Sequence, residues 1–331
     1  MRIWITWETQ RRNLELAHAF RADYCRFDYS SQNPIVRYLK SAGLTFTKLI
    51  SRRKGDVVFV QCPSVVLCLQ VWLLSFLGYD FVVDAHNAGI DWLFSNGLIS
   101  KVVTRIFRSS KFVIVTNPEL ASTLEALGIK TAVLRDRLPD MSLGLENPRT
   151  FRREGIVLTL ICSFHEDEPT EVFLQSFKRY LSEVSPEVTL FITGRKKRAG
   201  ELLKLESNNI VFTDFLTEED YKSLLNQSDA VIVLTRNENC LNCGAYEALS
   251  LGLPGMLSDS RVLRRVFSRG FVFSKNEADC LFEGLVKLLG SLPLLRSQSK
   301  DYLDVFTKEW TSECSAVESK LNINSSFIRN V

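Results

Sequence analysis

The sequence predicts an α/β protein of two doubly wound domains, each a parallel sheet covered by helices, that face each other across a cleft. Apolar segments of strand length alternate with amphipathic segments of helix length along both halves of the chain. The 331 residues suffice for two domains of ordinary size. Residues 139–153, with Gly144 and Pro148, interrupt the alternation and are typical of a linker.

In the first half, apolar segments predict strands at residues 2–6, 56–60, 81–84, 111–115 and 131–134. Helices are predicted at residues 10–20, 33–51, 64–77 and 117–128. The first helix has Leu14, Ala17 and Phe20 at helical spacing, which predicts its buried face. Asn33 and Pro34 mark the start of the second, because Asn caps a helix and Pro is favoured at its first position.

The second half repeats the pattern, with strands predicted at residues 156–161, 189–193, 210–213, 231–234 and 270–273. Helices are predicted to begin near Pro169, after the capping residue Thr217, near Gly244 and at Ser260. Further helices extend to about Lys320.

Residues 57–79 carry no charge, and such a segment is long enough to cross a bilayer. However, Cys62, Pro63 and Ser64 interrupt it, and Gly78 ends it. A strand followed by a helix and a second strand explains this pattern better than a membrane span.

The charge of the chain is unevenly distributed. Net charge is +3, but residues 1–54 contain eleven Lys and Arg against four acids, an excess of 11 − 4 = +7. This excess favours an anionic neighbour such as a lipid headgroup or a pyrophosphate, with a solvated helix face as the alternative. There is no G-x-G and no P-loop pattern, which excludes those nucleotide fingerprints, and we expect no nucleic-acid partner.

The eight cysteines lie mostly in apolar segments and are expected to be small buried side chains in a reducing cytoplasm. Cys240 and Cys243 form a C-x-x-C without a second pair, so we expect no structural zinc. The chain begins with a strand pattern, so no secretory leader is expected.

Residues 231–259 are the stretch most indicative of function. A buried strand leads into a polar loop, and a helix opens near Gly244. Loops at the carboxyl ends of parallel strands bind ligands, and helix starts offer N–H groups to phosphate. Glu247, expected in the first turn, could accept hydrogen bonds from a sugar diol, or could simply favour the helix dipole.

This stretch resembles the donor site of GT-B glycosyltransferases, especially glycosyltransferase family 4, with its E-G-F-G-x-x-x-x-E and A-x-x-x-G-x-P patterns. The matching positions are Glu247, Ala248, Gly252 and Pro254. The first acidic position of the pattern falls on Asn239, with Glu238 beside it. That departure leaves donor preference and catalysis open.

Other segments extend the resemblance over most of the chain. Residues 84–89 are similar to the D-x-H-N-x-G of the eukaryotic chitobiosyldiphosphodolichol β-mannosyltransferase family. Residues 115–117, 133–139 and 217–229 resemble further segments of that family, and bacterial surface-polysaccharide glycosyltransferases share them. The resemblance implies a GT-B architecture: an acceptor domain at 1–150, a donor domain at 151–300, and a final helix at 301–331 that crosses back to the first domain.

The implied activity is transfer of a hexose from a UDP- or GDP-linked sugar to a membrane-linked saccharide, such as a polyprenyl diphosphate saccharide, in surface polysaccharide or glycan assembly. The enzyme would associate with the cytoplasmic face of an anionic membrane. The absence of D-x-D predicts a metal-independent reaction with no cofactor besides the donor. Two alternatives stay open: a GT-B epimerase or hydrolase, and an inactive GT-B partner subunit. The second alternative is motivated by two departures from the family. Asn239 stands at the first acidic position of the donor pattern, and Ser163–Glu168 stands where the family has R-x-x-x-x-K.

The candidate catalytic residues are His86, Asp84 and Glu238. His86 would orient the acceptor or act as a base; the other interpretation is a structural histidine. Whether the transfer inverts or retains is open, and inversion would need His86 or Asp84 as base. Asn87 and Gly89 are the candidate acceptor contacts. The candidate donor contacts are Glu247, Asn239, Cys243, Gly244, Arg236, Arg195, Lys196 and Ser163.

Overall fold

The computed structural model describes residues 1–95, 97–144 and 148–322. The chain forms two compact units, which we call unit 1 (Met1–Arg137 with Glu309–Val331) and unit 2 (Leu138–Lys308). Each unit contains a six-stranded sheet whose neighbouring strands all run parallel. The predicted α/β class is confirmed.

Unit 1 alternates strands and helices in chain order. Its strands are β1 (Arg2–Thr6), β2 (Asp23–Arg26), β3 (Val57–Cys62), β4 (Asp80–Ala85), β5 (Val113–Val115) and β6 (Thr131–Val133). Its helices are α1 (Arg11–Ala19), α2 (Pro34–Leu49), α3 (Val65–Leu74), α4 (Asn87–Asp91), α5 (Leu98–Ser109) and α6 (Pro118–Ala126), and a 3-10 turn at Ser75–Leu77 follows α3. The strand order is β2-β1-β3-β4-β5-β6. The strand, helix and strand predicted around residues 57–79 are confirmed as β3, α3 and β4.

Across the described ranges, no helix combines the length and the apolar character that crossing a membrane requires.

The sheet of unit 1 is buried on both faces, as parallel sheets are. Ile3 and Ile5 pack into one core cluster and Trp4, between them, into another. Trp4 stacks on Phe59 at 5.0 Å, and Phe59 stacks on Phe20 of the loop after α1 at 5.4 Å.

Unit 2 has the strands β7 (Ile156–Leu160), β8 (Val188–Thr193), β9 (Ile210–Asp214), β10 (Ala230–Val233), β11 (Gly255–Ser258) and β12 (Phe271–Ser274). Its helices are α7 (Thr170–Glu183), α8 (Lys196–Ala199), α9 (Glu218–Asn226), α10 (Cys243–Ser250), α11 (Arg261–Val266) and α12 (Ala278–Gly290), with a 3-10 segment at Gly200–Leu205. The strand order is β12-β11-β10-β7-β8-β9. Because the chain leaves β7 toward one side and later returns to its other side as β10, these two strands form the topological switch point.

A long last helix, α13 (Leu292–Asn322), begins in unit 2, and its residues from Glu309 onward belong to unit 1. Within unit 1, Val317 and Leu321 are buried in the cluster that contains Trp4. The Arg135 guanidinium pairs with Glu313 at 2.6 Å and with Glu309 at 2.8 Å.

The predicted helix caps are present in the structure, whereas burial differs from the prediction at several positions. The Asn33 cap is confirmed, because its Oδ1 accepts a hydrogen bond from the Ile35 N–H at 3.0 Å, and Thr217 likewise accepts from the Asp220 N–H at 3.1 Å. The predicted burial of Ala17 and Phe20 is confirmed, but the prediction for Leu14 is wrong: it is exposed, and Leu16 is buried instead. The cysteine prediction is also wrong for most of the eight, since only Cys62, Cys68 and Cys162 are buried. Strand β2, a polar edge strand, and helices α4 and α5 were not predicted from the sequence.

Candidate functional site

At the switch point of unit 2, the loops that follow β7 and β10 contact each other. The Thr235 hydroxyl donates to Asp167 Oδ2 at 2.9 Å, and the Arg236 N–H donates to the Asp167 carbonyl at 2.7 Å. The Arg236 guanidinium also donates to the Glu166 carbonyl at 2.9 Å. Arg236 therefore lies at this edge of the sheet, where it joins the two loops.

Helix α10 begins beside the same edge, with Cys243 and Gly244 as its first two residues. A Cβ on Gly244 would lie 3.0 Å from Ile161 Cδ1 and 3.1 Å from Val233 Cγ2. Only glycine fits this approach without displacing those side chains. The absence of a side chain thus lets the start of the helix pack against the end of β7.

Glu247 lies in the second turn of α10, not in the first turn as predicted, because the helix begins at Cys243. Its side chain is buried, and its Oε2 accepts a hydrogen bond from the Tyr221 hydroxyl at 2.6 Å. Interaction with the helix dipole is confined to the first turn, so it does not explain this position.

A cavity of about 620 Å³ opens at the carboxyl ends of β7, β8 and β9, within the size range of small-molecule sites. Of the predicted donor residues it contains Ser163 and Arg195, and Tyr221 connects it to Glu247. Lys196 is outside the lining, and its ammonium pairs with Glu206 at 2.8 Å. The second cation of the cavity is Arg198, which the sequence analysis did not select. The lining residues are Ile161, Cys162, Ser163, Thr193, Gly194, Arg195, Arg198, Asp214, Phe215, Leu216, Thr217, Glu218 and Tyr221.

Several residues in and beside the lining of this cavity have positive φ values. Gly194 has φ +98°, and a Cβ there would lie 2.6 Å from the Cys162 carbonyl oxygen. Phe164 and Asp214 adopt φ values of 59° and 64°, which non-glycine residues rarely do. Hydrogen bonds from the Lys196 and Phe215 N–H groups lower the pKa of Asp214 and fix its carboxylate. Such strain is typical of functional loops.

In the loop after β7, the Glu168 carboxylate accepts hydrogen bonds from Ser163 and His165. The Ser163 N–H and hydroxyl both donate to the Glu168 carboxylate, at 2.9 Å and 3.2 Å, and the His165 N–H donates to it at 2.9 Å. His165 Nδ1 lies 2.7 Å from Asp167. The hydrogen-bond donors of this loop are therefore taken up by a carboxylate. The family's R-x-x-x-x-K pattern would have two cations in the same segment.

Glu238 lies in a separate, polar cavity of about 300 Å³ at the ends of β10, β11 and β12. Asn276 organises it, since its amide donates to the Thr235 carbonyl at 2.8 Å and its Oδ1 accepts from Ser258 at 2.8 Å. Asn239 lies in the adjoining loop, where its N–H donates to Asn237 Oδ1 at 3.0 Å. Ser163 and Arg195 therefore line the first cavity and Glu238 lines the second, while Asn239 lines neither.

In unit 1, His86 follows β4 and caps α4, and its N–H donates to the Cys62 carbonyl at 3.1 Å. Its Nε2 lies 3.4 Å from Asp84 Oδ2. Asn87 is the first residue of α4. A Cβ on Gly89 would lie 2.8 Å from the Cys62 carbonyl oxygen, so close packing alone requires glycine at this position.

Asp84 is held by a buried arginine that the sequence analysis missed. Arg12 Nη2 contacts Asp84 Oδ1 at 2.8 Å, and Arg12 Nη1 contacts Asp136 Oδ1 at 2.5 Å. Burial raises the pKa of Asp84, but Arg12 and His86 outweigh it and hold that pKa well below its usual value. The only sequence signal for Arg12 is its position one helical turn before Leu16, on the inward face of α1.

This geometry favours His86 over Asp84 as a base, and the role of Asp84 stays a prediction. The side chain is 1% exposed and stays ionised against Arg12, so it is poorly placed to accept a proton from a substrate. Its carboxylate instead lies 3.4 Å from His86 Nε2, where its negative charge would favour a proton.

Within residues 1–95, 97–144 and 148–322, no group of three or more His, Cys, Asp or Glu side chains could hold a metal ion.

No protein-family model and no curated protein matches the chain. Solved structures do match its fold. HepE of Anabaena, in complex with UDP, has a TM-score of 0.70 at 12% identity, over 97% of this chain and 100% of HepE. Sucrose-phosphate synthase from Thermosynechococcus elongatus has a TM-score of 0.67 at 12% identity, over 86% of this chain and 78% of that one. The pneumococcal O-GlcNAc transferase GtfA, in complex with UDP and GlcNAc, has a TM-score of 0.63 at 15% identity, over 86% of this chain and 60% of GtfA. The chain therefore has the fold of GT-B glycosyltransferases.

Proposed function

We propose that the chain is a glycosyltransferase that binds a UDP-sugar in unit 2 and transfers its hexose to a lipid-linked saccharide. The observation that carries the proposal is the cavity at the switch-point edge, with Arg195 and Arg198 in its lining and the Tyr221–Glu247 pair beside it. Structures of the same fold contain UDP, and one structure of HepE contains UDP-glucose, which favours UDP over GDP.

The donor would use three features of this cavity. The two arginines supply positive charge for the diphosphate, which gains negative charge as it departs. The N–H groups at the start of α10 add to it. The Glu247 carboxylate, fixed by Tyr221, would accept hydrogen bonds from the ribose hydroxyls. Two fixed arginines beside the diphosphate would let the transfer proceed without a metal ion.

The acceptor would meet unit 1 at His86, with Asn87 beside it. In an inverting transfer the acceptor oxygen bonds to the anomeric carbon, the bond from that carbon to the diphosphate breaks, and the acceptor proton passes to a base. Asp84 favours a proton on His86 Nε2, which leaves the lone pair of Nδ1 to take the acceptor proton. A polyprenyl diphosphate saccharide is the acceptor class we favour, and it would bring the chain to the cytoplasmic face of a membrane during polysaccharide assembly.

Unfolding by heat in the presence of UDP, UDP-glucose, GDP or GDP-mannose tests the donor. A ligand at a hundredfold excess over its Kd stabilises the native state by about 2.7 kcal/mol. We expect such a stabilisation with the uridine ligands. In Glu247→Gln, Tyr221 keeps an acceptor but the charge is lost, so we expect about tenfold weaker binding.

Glu283→Gln, an exposed carboxylate of α12, is the matched control and should bind UDP as the unaltered chain does. A stabilisation by GDP alone, or equal UDP affinity in Glu247→Gln and the control, would contradict the assignment of this site.

One observation favours a second candidate, a GT-B partner subunit without transferase activity. Glu168 occupies the donors of Ser163, and this acidic loop would repel a diphosphate. Such a subunit would neither bind nucleotide sugars nor lose a function in Glu247→Gln, so the same experiment separates the two candidates.

A further inference from the structure

Helix α2 of unit 1 buries two polar side chains and exposes several large apolar ones. Its inward positions include Ser41 and Thr45, both fully buried. The Ser41 hydroxyl donates to the Phe27 carbonyl at 2.8 Å, and Thr45 Oγ1 accepts from Trp7 Nε1 at 2.9 Å. These two hydroxyls are therefore satisfied on the protein side, and Leu49 adds a fully buried apolar side chain to the inward face.

The outward face of α2 is apolar, and it continues into Ile50 after the helix end. Ile35, Leu39, Phe46 and Ile50 recur at intervals of four, seven and four residues, which is the spacing of one helix face. Their side chains are 71%, 69%, 47% and 53% exposed. Scattered exposed apolar side chains are ordinary, but an aligned row of four needs an explanation. We call these four residues the α2 apolar row.

The charged residues of the segment that contains this row have a single sign. Between Asp28 and Asp56 the chain has no acidic residue and six basic ones: Arg37, Lys40, Lys48, Arg52, Arg53 and Lys54. Lys40 and Lys48 are exposed on α2 itself. A helix that exposes an apolar row and whose charged side chains are all basic is complementary to an anionic surface with an apolar interior.

Helix α3 adds to the same side of unit 1. Its Gln70 amide donates to the Ala42 carbonyl of α2 at 2.8 Å, which joins the two helices. Val66 and Leu73, one turn before and after Gln70, are exposed, and Phe76 beyond the helix end is 78% exposed. The exposed apolar side chains of α3 therefore begin beside α2.

We propose that α2 docks on an anionic lipid bilayer, with the α2 apolar row inserted at the boundary of headgroups and acyl chains and the lysines against the headgroup phosphates. A bilayer fits better than a protein partner because the cores of protein interfaces are depleted of lysine. The proposal deepens the proposed function and rests on it, since a lipid-linked acceptor has to be reached at a membrane. It assigns that contact to one face of one helix.

Sedimentation of the full chain with phosphatidylglycerol-containing vesicles, and with phosphatidylcholine vesicles as reference, tests the docking face. We expect binding to the anionic vesicles that weakens with salt. Lys40→Gln with Lys48→Gln should weaken it about thirtyfold, because each cation near an anionic surface contributes about 1 kcal/mol and 1.4 kcal/mol is tenfold. Ile35→Ser, Leu39→Ser, Phe46→Ser and Ile50→Ser together should abolish it.

The matched controls alter unit 2. They are Lys178→Gln with Lys287→Gln, both exposed, and Leu294→Ser with Val184→Ser, which are exposed apolar side chains. Both should bind vesicles as the unaltered chain does. Equal vesicle binding by the four-serine variant, or no binding by the unaltered chain, overturns the proposal. So does a change of oligomeric state in that variant without vesicle binding, which would make α2 a contact between copies.

UDP binding by the same preparations, measured without vesicles, separates this proposal from the proposed function. A chain that binds UDP and not vesicles would overturn the docking face alone. A chain that binds anionic vesicles and not UDP would overturn the transferase assignment and leave the docking face standing.

Discussion

At the residue scale, charged side chains in half-buried positions set how stability depends on pH. Burial raises the pKa of Glu15 on α1 from 4.5 to about 6, and the nearby Arg11 and Arg137 only partly offset this. A carboxyl whose pKa is raised by folding contributes stability that is fully present below pH 4.5 and is lost as the pH rises through 6.

Glu15→Gln should remove that loss. We expect a higher free energy of unfolding at pH 7, by up to about 1 kcal/mol because the side chain is half-exposed and solvent screens it. Below pH 4.5 the variant and the unaltered chain should be alike. Urea unfolding at several pH values measures this, with the exposed Glu154→Gln as control. If the free energy of unfolding had the same pH dependence in Glu15→Gln and the unaltered chain, folding would not raise the pKa of Glu15.

At the element scale, the Arg12 guanidinium joins three parts of unit 1: helix α1, the end of β4 and the segment after β6. It contacts Asp84, Asp136 and the Leu134 carbonyl, at 2.8, 2.5 and 3.0 Å. Removing one partner of a buried ion pair leaves the other charge uncompensated, which costs far more than the pair contributes.

Asp84→Asn should therefore destabilise unit 1 by about 3–5 kcal/mol. Asp80→Asn, on the same strand, is the matched control and should cost less than about 1 kcal/mol, because its partner Lys111 meets it at an exposed carboxylate. All five tryptophans (4, 7, 72, 92 and 310) belong to unit 1, so tryptophan fluorescence in urea reports on that unit alone. An equal loss of unfolding free energy in Asp84→Asn and Asp80→Asn would show that the buried Arg12 charge does not need Asp84 as its partner.

At the scale of the whole molecule, unit 1 is formed by two segments that are far apart in the chain. Unit 1 contains the first residues of the chain and those from Glu309 onward. Its core includes Val317 and Leu321 of α13 together with Trp4 and Phe59 of the first strands. The core of unit 1 is therefore completed only when the end of the chain is present.

Val317→Ala should destabilise unit 1 by about 2 kcal/mol through lost burial and the cavity it leaves. Val305→Ala, half-exposed on the same helix within unit 2, should change stability by no more than about 0.5 kcal/mol. Hydrogen exchange resolves the two units, and we expect faster exchange in β1 and β3 for Val317→Ala only. Faster exchange in both units, or in neither, would be inconsistent with this role of α13.

Much of the fold was predictable because local signals agree with it. Buried parallel strands are short apolar segments, and caps such as Asn33 and Thr217 are local hydrogen bonds. Strand β2 was missed because its residues are polar and only partly buried at the sheet edge. Leu14 was misassigned because three apolar residues on a short helix do not define its buried face.

The sequence alone determined the alternation of strands and helices, the position of the polar loop after β10, and the glycine at the start of α10, because these depend on residues close together in the chain. Only the tertiary structure decided which charges meet. Arg12 and Asp84 are separated by 72 residues and Tyr221 and Glu247 by 26, and no local pattern pairs them. Likewise, the sequence of α2 predicted a helix, but the packing of Ser41 and Thr45 inward decided that Ile35, Leu39 and Phe46 face solvent. Burial and ion pairing depend on contacts that form only when distant segments pack together.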